Sequence, residues 1–275
     1  MRYIFFGTPE FAAIILGKLV DAGMPPAVVV CNPDRPVGRK KVITPPPTKV
    51  LAEKHKIPAW QPGGLEIRNW KLEIEKLGGV ELAIVAAYNK IISTDIMDSL
   101  PAKFLGVHPS LLPKYRGPTP IQTALLNGER KTGVTLFLLD EKVDHGPILA
   151  QRELEFSIFF FQFSNLLKAL ANLSADLLIE ILPKFTKGAI KPRPQNEAEA
   201  TYTKKFSTED ALVDLEKDDP VVIDRKIRAL NPEPGVWTLQ KGKRVKLLEA
   251  ELVDGVLKLK KIQVEGRKPT FLKHP

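Results

Sequence analysis

The sequence predicts an α/β fold, a largely parallel, doubly wound sheet followed by a small β-rich module. Three observations carry this. Over the first two-thirds of the 275 residues, short β-branched or aromatic runs alternate with helical patterns, as strands joined by crossover helices do. Residues 183–200 then change character, with Pro183, Pro192 and Pro194 among polar residues, which marks a linker. Beyond it come a helix at 220–230 and several strand-like runs, with Asp254-Gly255 between two of them as a hairpin signal.

Taken in order, Arg2 to Phe6 reads as the first buried strand, and GTPE breaks it. Thr8 is placed to cap the next helix and Pro9 suits its first turn, while Phe11, Ile15 and Leu19 recur on one face until Gly23. Ala27 to Cys31 is a second strand. Residues 32–47 predict a long loop rich in proline and cations, followed by a helix from Thr48 and a strand around Ala59 and Trp60. Residues 66–77 look helical, Glu81 to Ala87 looks extended, and Ser93 is placed to cap a short helix. Phe104–His108, Val134–Leu139 and Ile148–Phe156 complete the strands. Residues 164–182 form an amphipathic helix with Leu166, Leu170, Leu173, Leu177 and Ile181 on one stripe. The IFFFQF before it reads as core packing against that helix, although the Phe159–Phe161 run has no assigned role.

Hydrophobic residues at 44% and charged residues at 27% suit a globular protein with a real core. A formal charge of +9 suits either a polyanionic partner such as RNA or simply a well-solvated surface. The single cysteine, Cys31, excludes an intramolecular disulfide and suits a reducing compartment. No secretory leader pattern and no apolar run of about 20 residues is visible, so the expectation is a cytoplasmic protein that does not enter a membrane; a monomer is expected, though no sequence feature sets the oligomeric state.

In doubly wound sheets ligands sit beyond the carboxyl ends of strands, which singles out GTPE, AYNK after Val85, and HPSLLP after Val107. The four histidines show neither HExxH spacing nor a cysteine cluster, so no metal is expected. GTPE lacks the dinucleotide glycines and no GxxxxGK[ST] loop exists. What remains is His108 at a strand end and the acidic passage LDEKVDHGP, residues 139–147, with Asp140, Glu141 and Asp144. A histidine and a carboxylate from neighbouring strand termini can form a proton-transferring pair. The same pattern also describes a histidine that caps a strand beside an acidic turn. The passage DRPVGRKKVITPPPTK, residues 34–49, carries Arg35, Arg39, Lys40, Lys41 and Lys49 and reads either as a phosphate-gripping arm or as a solvated loop. KGKRVK at 241–246 and KLKK at 258–261 add cations to the terminal strands.

The segments FFGTPEFA, PDRPVGRKKVITPPPTKVLAEKH, HPSLLPKYRGPTPIQTALLNG, TGVTLFLLDEKVDHGPIL, TYTKKFS and IRALNPEPGVW, in that order, resemble the methionyl-tRNA formyltransferases of the folate-dependent formyltransferase family. The resemblance runs along nearly the whole chain. It implies a Rossmann-like formyl-transfer, folate-binding domain over 1–182, a linker over 183–200, and a short OB-like tRNA-binding module over 201–275. The implied formyl donor is 10-formyltetrahydrofolate, and the implied acceptor is the α-amine of methionine on initiator tRNA. By resemblance, His108 touches the formyl oxygen and takes part in proton traffic, and Asp144 sets its charge state and positions a water. Ser110, Leu111, Leu112 and Pro113 line the folate site with Lys90, Ile91, Ile92 and Asp140. Arg35, Arg39, Lys40, Lys41 and Lys49 reach the tRNA acceptor stem.

The chain departs from the family in three places. The family pattern at the histidine is Asn-x-His, whereas this chain has Gly106, and Asn89 stands where the family commonly has glycine. Asn89 is therefore expected either to project its amide into the space vacated at Gly106 and serve the reaction, or to be a turn residue. The family's terminal module usually extends beyond the point matching Pro275, and the family lacks the phenylalanine run. Two alternatives accompany the main reading: a folate-dependent N-formyltransferase acting on a small amine such as an amino sugar, and a binding relic that lost turnover when Gly106 arose.

Overall fold

Hydrophobic β-branched and aromatic side chains at the start of the chain have no polar alternation, so they suit a strand covered on both faces. A computed structural model describes residues 1–38, 40–63, 67–101, 103–156 and 161–272, the side chains of 67–69 excepted. Its elements are β1 (Tyr3–Gly7), α1 (Glu10–Asp21), β2 (Val28–Val30), β3 (Arg35–Val37), β4 (Val42–Thr44), α2 (Pro47–Lys54) and β5 (Ala59–Trp60). These are followed by α3 (Ile67–Lys76), β6 (Leu82–Ala86), α4 (Thr94–Met97), β7 (Phe104–His108), α5 (Pro120–Leu126), β8 (Lys131–Leu138), β9 (Ile148–Glu155) and α6 (Phe163–Thr186). The chain ends with α7 (Pro220–Leu230), β10 (Trp237–Gln240), β11 (Lys243–Val253), β12 (Val256–Val264) and β13 (Thr270–Phe271). Two compact units result. One holds residues 1–116, 133–154 and 168–201, and the other holds 117–132, 155–167 and 202–275.

The main sheet has the order β5-β2-β1-β6-β7-β8-β9. Pairs from β5 to β7 are parallel, and β8 runs antiparallel to β7. Side chains alternate between the faces of a strand. Ile4 and Phe6 of β1 pack with Trp70 of α3 and with Ile96 and Met97 of α4. The Phe6 ring lies 5.7 Å from Trp70, 5.3 Å from Tyr88 and 5.6 Å from Phe104. On the opposite face α1 packs on β1, and Lys18 ties α1 to α6 through Asp176 at 2.6 Å. Helices thus cover both faces. Fully burying one such aromatic or aliphatic side chain contributes roughly 1.5–3 kcal/mol.

Three local expectations need correction. Thr8 does not cap α1; its hydroxyl accepts from the Asn32 backbone N–H at 3.2 Å, while Pro9 occupies the cap position without a side-chain bond. The stretch expected to be loop contains the exposed β3–β4 hairpin, closed by a turn with positive φ at Gly38 and Lys41. Helix α6 continues through Pro183 to Thr186 rather than stopping at Leu182. Burial of Ile181 and Leu182 favours that extra turn over the loss of one backbone donor at proline. Phe159 and Phe160 lie outside the described residues, and Phe161 sits edge-on to Phe156 at 5.7 Å.

In the second unit α7 begins as its sequence dictates: Pro220 fills the first turn and the Asp219 carboxylate accepts from the Val221 N–H at 2.7 Å. The strands β10-β11-β12-β13 form an antiparallel sheet. Asp254 and Gly255, both at positive φ, close β11 onto β12 with Val253 opposite Val256. Lys241-Gly242 makes a second two-residue turn between β10 and β11, so part of the KGKRVK patch is hairpin chemistry. No helix among the described residues is long and apolar enough to cross a membrane.

Candidate functional site

Strand β7 is buried along its length and delivers His108 at its carboxyl end. The imidazole Nε2 lies 2.9 Å from the Tyr115 carbonyl oxygen. A carbonyl only accepts, so Nε2 carries the hydrogen and Nδ1 is the ring's other working atom. Nδ1 lies 3.5 Å from Asp144 Oδ2, with the histidine side chain 6% and the aspartate side chain 21% exposed. The carboxylate is therefore the open end of the pair.

The Tyr115 N–H donates to Thr201 Oγ1 at 2.8 Å, and the turn before it is braced by a buried hydroxyl that composition gave no reason to single out. Thr135 stands opposite His108 on β8, donates to the Ser110 carbonyl at 2.7 Å, and accepts from the Leu112 N–H at 3.0 Å. Gln151 donates to the Leu112 carbonyl at 2.8 Å and to the Thr135 hydroxyl at 3.0 Å. The Ser110 hydroxyl is turned inward onto the Lys114 carbonyl at 2.6 Å. Residues 110–115 thus form a braced turn whose last carbonyl fixes the imidazole.

Asp144 arrives by a route the sequence did not indicate. Because β8 is antiparallel, its carboxyl end at Leu138 lies opposite Leu105, not beside His108. The expectation of two neighbouring carboxyl ends is corrected accordingly: the loop after β8 turns back to bring Asp144 to the ring. Asp144 has φ +50° within that turn. A Cβ at Gly146 would lie 1.8 Å from the Leu138 carbonyl oxygen, so only glycine allows the loop to close on the strand. Asp140 pairs with His145 Nδ1 at 2.5 Å and accepts from the Lys142 N–H at 3.0 Å. A cavity of about 240 Å³ beside this loop is lined by Asp140, His145, Pro147, Pro194, Gln195 and Glu197.

The space beside Gly106 is not vacant. A Cβ there would meet the Phe137 ring at 2.4 and 2.5 Å and Leu139 Cδ1 at 2.7 Å. Asn89 does not project into it; its Oδ1 accepts from Asn32 Nδ2 at 2.6 Å, which ties it to the segment after β2. Lys90 Nζ donates to the carbonyls of Pro62 and Gly63 at 2.5 and 3.1 Å. Ile91 is 94% exposed by the same segment, whereas Ile92 belongs to the core. Leu112 is buried with Phe137 and Ile148, Leu111 packs over Gly133, and the Pro113 carbonyl accepts from the Thr201 N–H at 3.2 Å.

Among the expected tRNA contacts, Arg35, Lys40 and Lys41 are exposed on or beside the β3–β4 hairpin, and Arg39 lies outside the described residues. Lys49 is engaged instead: its Nζ sits 2.9 Å from both Asp34 oxygens, and Gln61 donates to the same carboxylate at 2.7 Å. Those bonds, that of Gln61 first, hold the Asp34 carboxyl below its usual range. On β12, Lys260 pairs with Glu251 at 2.6 Å and Lys261 with Glu249 at 3.1 Å, while Lys258 is exposed.

Comparison with known proteins agrees with this architecture. The formyl transferase family pattern matches residues 1–186, and the formyl transferase C-terminal domain pattern matches residues 205–255. The methionyl-tRNA formyltransferase of Chloroflexus aurantiacus is 41% identical over 252 residues, covering 91% of this chain and 80% of that protein. Among solved structures, the methionyl-tRNA formyltransferase from Clostridium thermocellum shares the fold with a TM-score of 0.64 at 15% identity, covering 96% of this chain and 98% of that one. The N-formyltransferase from Helicobacter canadensis, in complex with folinic acid and dTDP-3-aminofucose, aligns with a TM-score of 0.65 at 18% identity, covering 92% of this chain and 88% of that one. The chain belongs to the formyl transferase family and is a formyl-transferring enzyme.

Proposed function

We propose that this enzyme transfers the formyl group of 10-formyltetrahydrofolate to the α-amine of methionyl initiator tRNA, in the cytoplasm. The observation that carries the reading is the His108–Asp144 pair at the end of β7, in a chain whose relatives at about 41% identity are named for this reaction. The transfer breaks the bond between formyl carbon and folate N10 and forms one to the amine. The amine gives up one proton and N10 gains one. The neutral amine attacks; Asp144, the more exposed member, takes the proton that its nitrogen loses as the new bond forms, and His108 Nδ1 is the adjacent site through which it passes on towards N10. With its Nε2–H fixed on Tyr115, the ring cannot turn over, which keeps Nδ1 facing the reaction. Oxyanion stabilisation falls to His108 and backbone N–H groups, because residue 106 has no side chain.

The residues present fit a folate donor. Tyr88 Oη and Asn32 Oδ1 are buried without hydrogen-bond partners after β6 and β2, and burial pushes the Tyr88 hydroxyl up to about 12. Beside them Ile91 offers an uncovered apolar surface. We assign the segment Asn89–Ile92, the turn Ser110–Pro113 and the loop from Asp140 to Asp144 to holding the donor. We assign formyl transfer to residues 1–182 and the holding of tRNA backbone to 201–275, with 183–200 as the connection whose Gln195 and Glu197 pack back on the first unit, and Arg35, Arg39, Lys40 and Lys41 on the acceptor stem. Lys49 acts there as a brace for Asp34.

The acceptor is tested with purified protein, 10-formyltetrahydrofolate and either methionyl initiator tRNA or a nucleotide-linked amino sugar. Formyl-methionyl-tRNA formation that declines with salt on a log–log slope of several supports tRNA, since each neutralised phosphate adds roughly 0.7–0.9 to the slope. Formylation of the sugar with a flat salt response refutes it.

A further inference from the structure

The Asp144 loop is held from a segment that sequence reading treats as linker. Gln195 Nε2 donates to the backbone carbonyls of Asp144 at 2.9 Å and Gly146 at 2.8 Å. Its Oε1 accepts from Arg116 Nε at 3.1 Å and Nη2 at 2.8 Å. Both ends of the carboxamide are thus specified. Reversing it would set oxygen against two carbonyls and NH₂ against a guanidinium, so the amide has one orientation. Arg116 is 0% exposed and also grips Glu197, Nη1 to Oε2 at 2.9 Å and Nη2 to Oε1 at 2.6 Å. The residue before Arg116 is Tyr115, whose carbonyl fixes His108.

One buried guanidinium therefore anchors both halves of the reacting pair. Through its own backbone neighbour it continues into the turn that orients the imidazole, and through Gln195 it fixes the backbone that carries the carboxylate. We propose that Gln195 is a positioning residue: it sets the place of Asp144 against His108 Nδ1, and the Arg116–Glu197 clamp holds Gln195 in its single orientation. The 3.5 Å separation is long enough that a small shift of the Asp144 backbone decides whether the carboxylate reaches the ring. For the catalytic arm of its test this inference rests on the formyl-transfer reading above.

The test is a double-mutant cycle with Asp144→Asn and Gln195→Ala, backed by Gln195→Glu. The glutamate variant keeps the shape and the Arg116 contact while removing the donor pair. Gln195→Ala is expected to lower kcat about 10- to 100-fold in the wild-type background, as a misplacement near 1 Å does, with KM for tRNA and folate little changed. In the Asp144→Asn background the same change is expected to cost less than about twofold, because the group being positioned is already gone. Equal losses in both backgrounds overturn the proposal, since a general structural defect moves both. A second readout needs no activity: at one fixed pH, the NMR chemical shift of the His108 ring nitrogen Nδ1 should move in Gln195→Ala in the same direction as in Asp144→Asn. A His108 ring signal identical to wild type in both Gln195 variants also overturns it. If wild-type protein formylates neither acceptor, the functional reading fails, and the ring signal alone then decides whether Gln195 sets the pair.

Discussion

Restoring the family asparagine at position 106 is expected to damage this protein, not improve it. Gly106 and Phe137 are cross-strand partners on β7 and β8. A Cβ on residue 106 would come within 2.4 Å of the Phe137 ring, where carbon–carbon contact ordinarily needs about 3.5–4.0 Å. The ring is hemmed in by Leu112 and Ile148, so more than one side chain must move. Overpacking of this kind costs about 1–3 kcal/mol, and the unpaired amide in an apolar cluster adds to it. For a chain of this size each kcal/mol lowers Tm by roughly 2–4 °C. Phe137→Ala alone is expected to cost about 3–5 kcal/mol through the cavity it leaves. In the double variant the asparagine occupies that cavity, so the sum of the single losses should exceed the double loss by about 1 kcal/mol or more. Urea unfolding of the four proteins measures all terms, with formyl-transfer rates alongside. A Gly106→Asn protein as stable as wild type, or strictly additive losses, refutes the claim that Phe137 fills the glycine's space.

Other perturbations bear on separate parts of the molecule. His108→Ala should reduce formyl transfer by about 10²–10⁴-fold, the range for loss of a positioned acid–base group, and cost about 0.5–1.5 kcal/mol for the lost hydrogen bond to the Tyr115 carbonyl; single-turnover assays and unfolding measure the two. The Arg116 hydrogen bond first, and its charge next, hold the Glu197 carboxyl below its ordinary value. A depressed folded-state carboxyl stabilises above its unfolded pKa and loses that contribution as pH falls through the folded one. Glu197→Gln should therefore flatten part of the acid limb of a stability–pH curve and leave the neutral region sloped as before. In the other unit, Lys204 and the Ser207 N–H lower Asp210 to about 2 from 3.8, so Asp210→Asn should remove a stability loss that wild type shows as pH falls from about 4 towards 2. Replacing Lys40 and Lys41 by alanine should lower the salt slope of tRNA binding by roughly 1–2 without altering folate affinity; calorimetry with each ligand checks both.

The parts of this fold that were legible in the sequence are those set by local chemistry. Tyr3–Gly7, the Asp254-Gly255 turn and the start of α7 follow from hydrophobic runs, φ requirements and caps, all encoded within a few residues. His108 at a strand end was visible for the same reason. The rest depended on partners distant in the chain. Nothing in VTLFLL announces that β8 runs antiparallel, so the route of Asp144 is not encoded locally. A guanidinium is usually a surface group, so Arg116 gave no sign of its burial, and Gln195 lay inside a proline-rich stretch whose composition suggests mere connection. Gly106 looked like a loss because the pattern shows which side chain is missing; it does not show that Phe137 occupies the place.

The contact between Gly146 and the end of β8 makes the intervening turn a ruler of fixed length. Leu138 N–H reaches the Pro147 carbonyl at 2.9 Å, so both ends of the segment are clamped a few residues from the acid it carries. Insertions or deletions there cannot be absorbed as slack, because each one slides the carboxylate along the sheet. Side-chain changes at 141–143, which are exposed, leave that geometry intact, whereas a change in the number of residues between the two clamps does not.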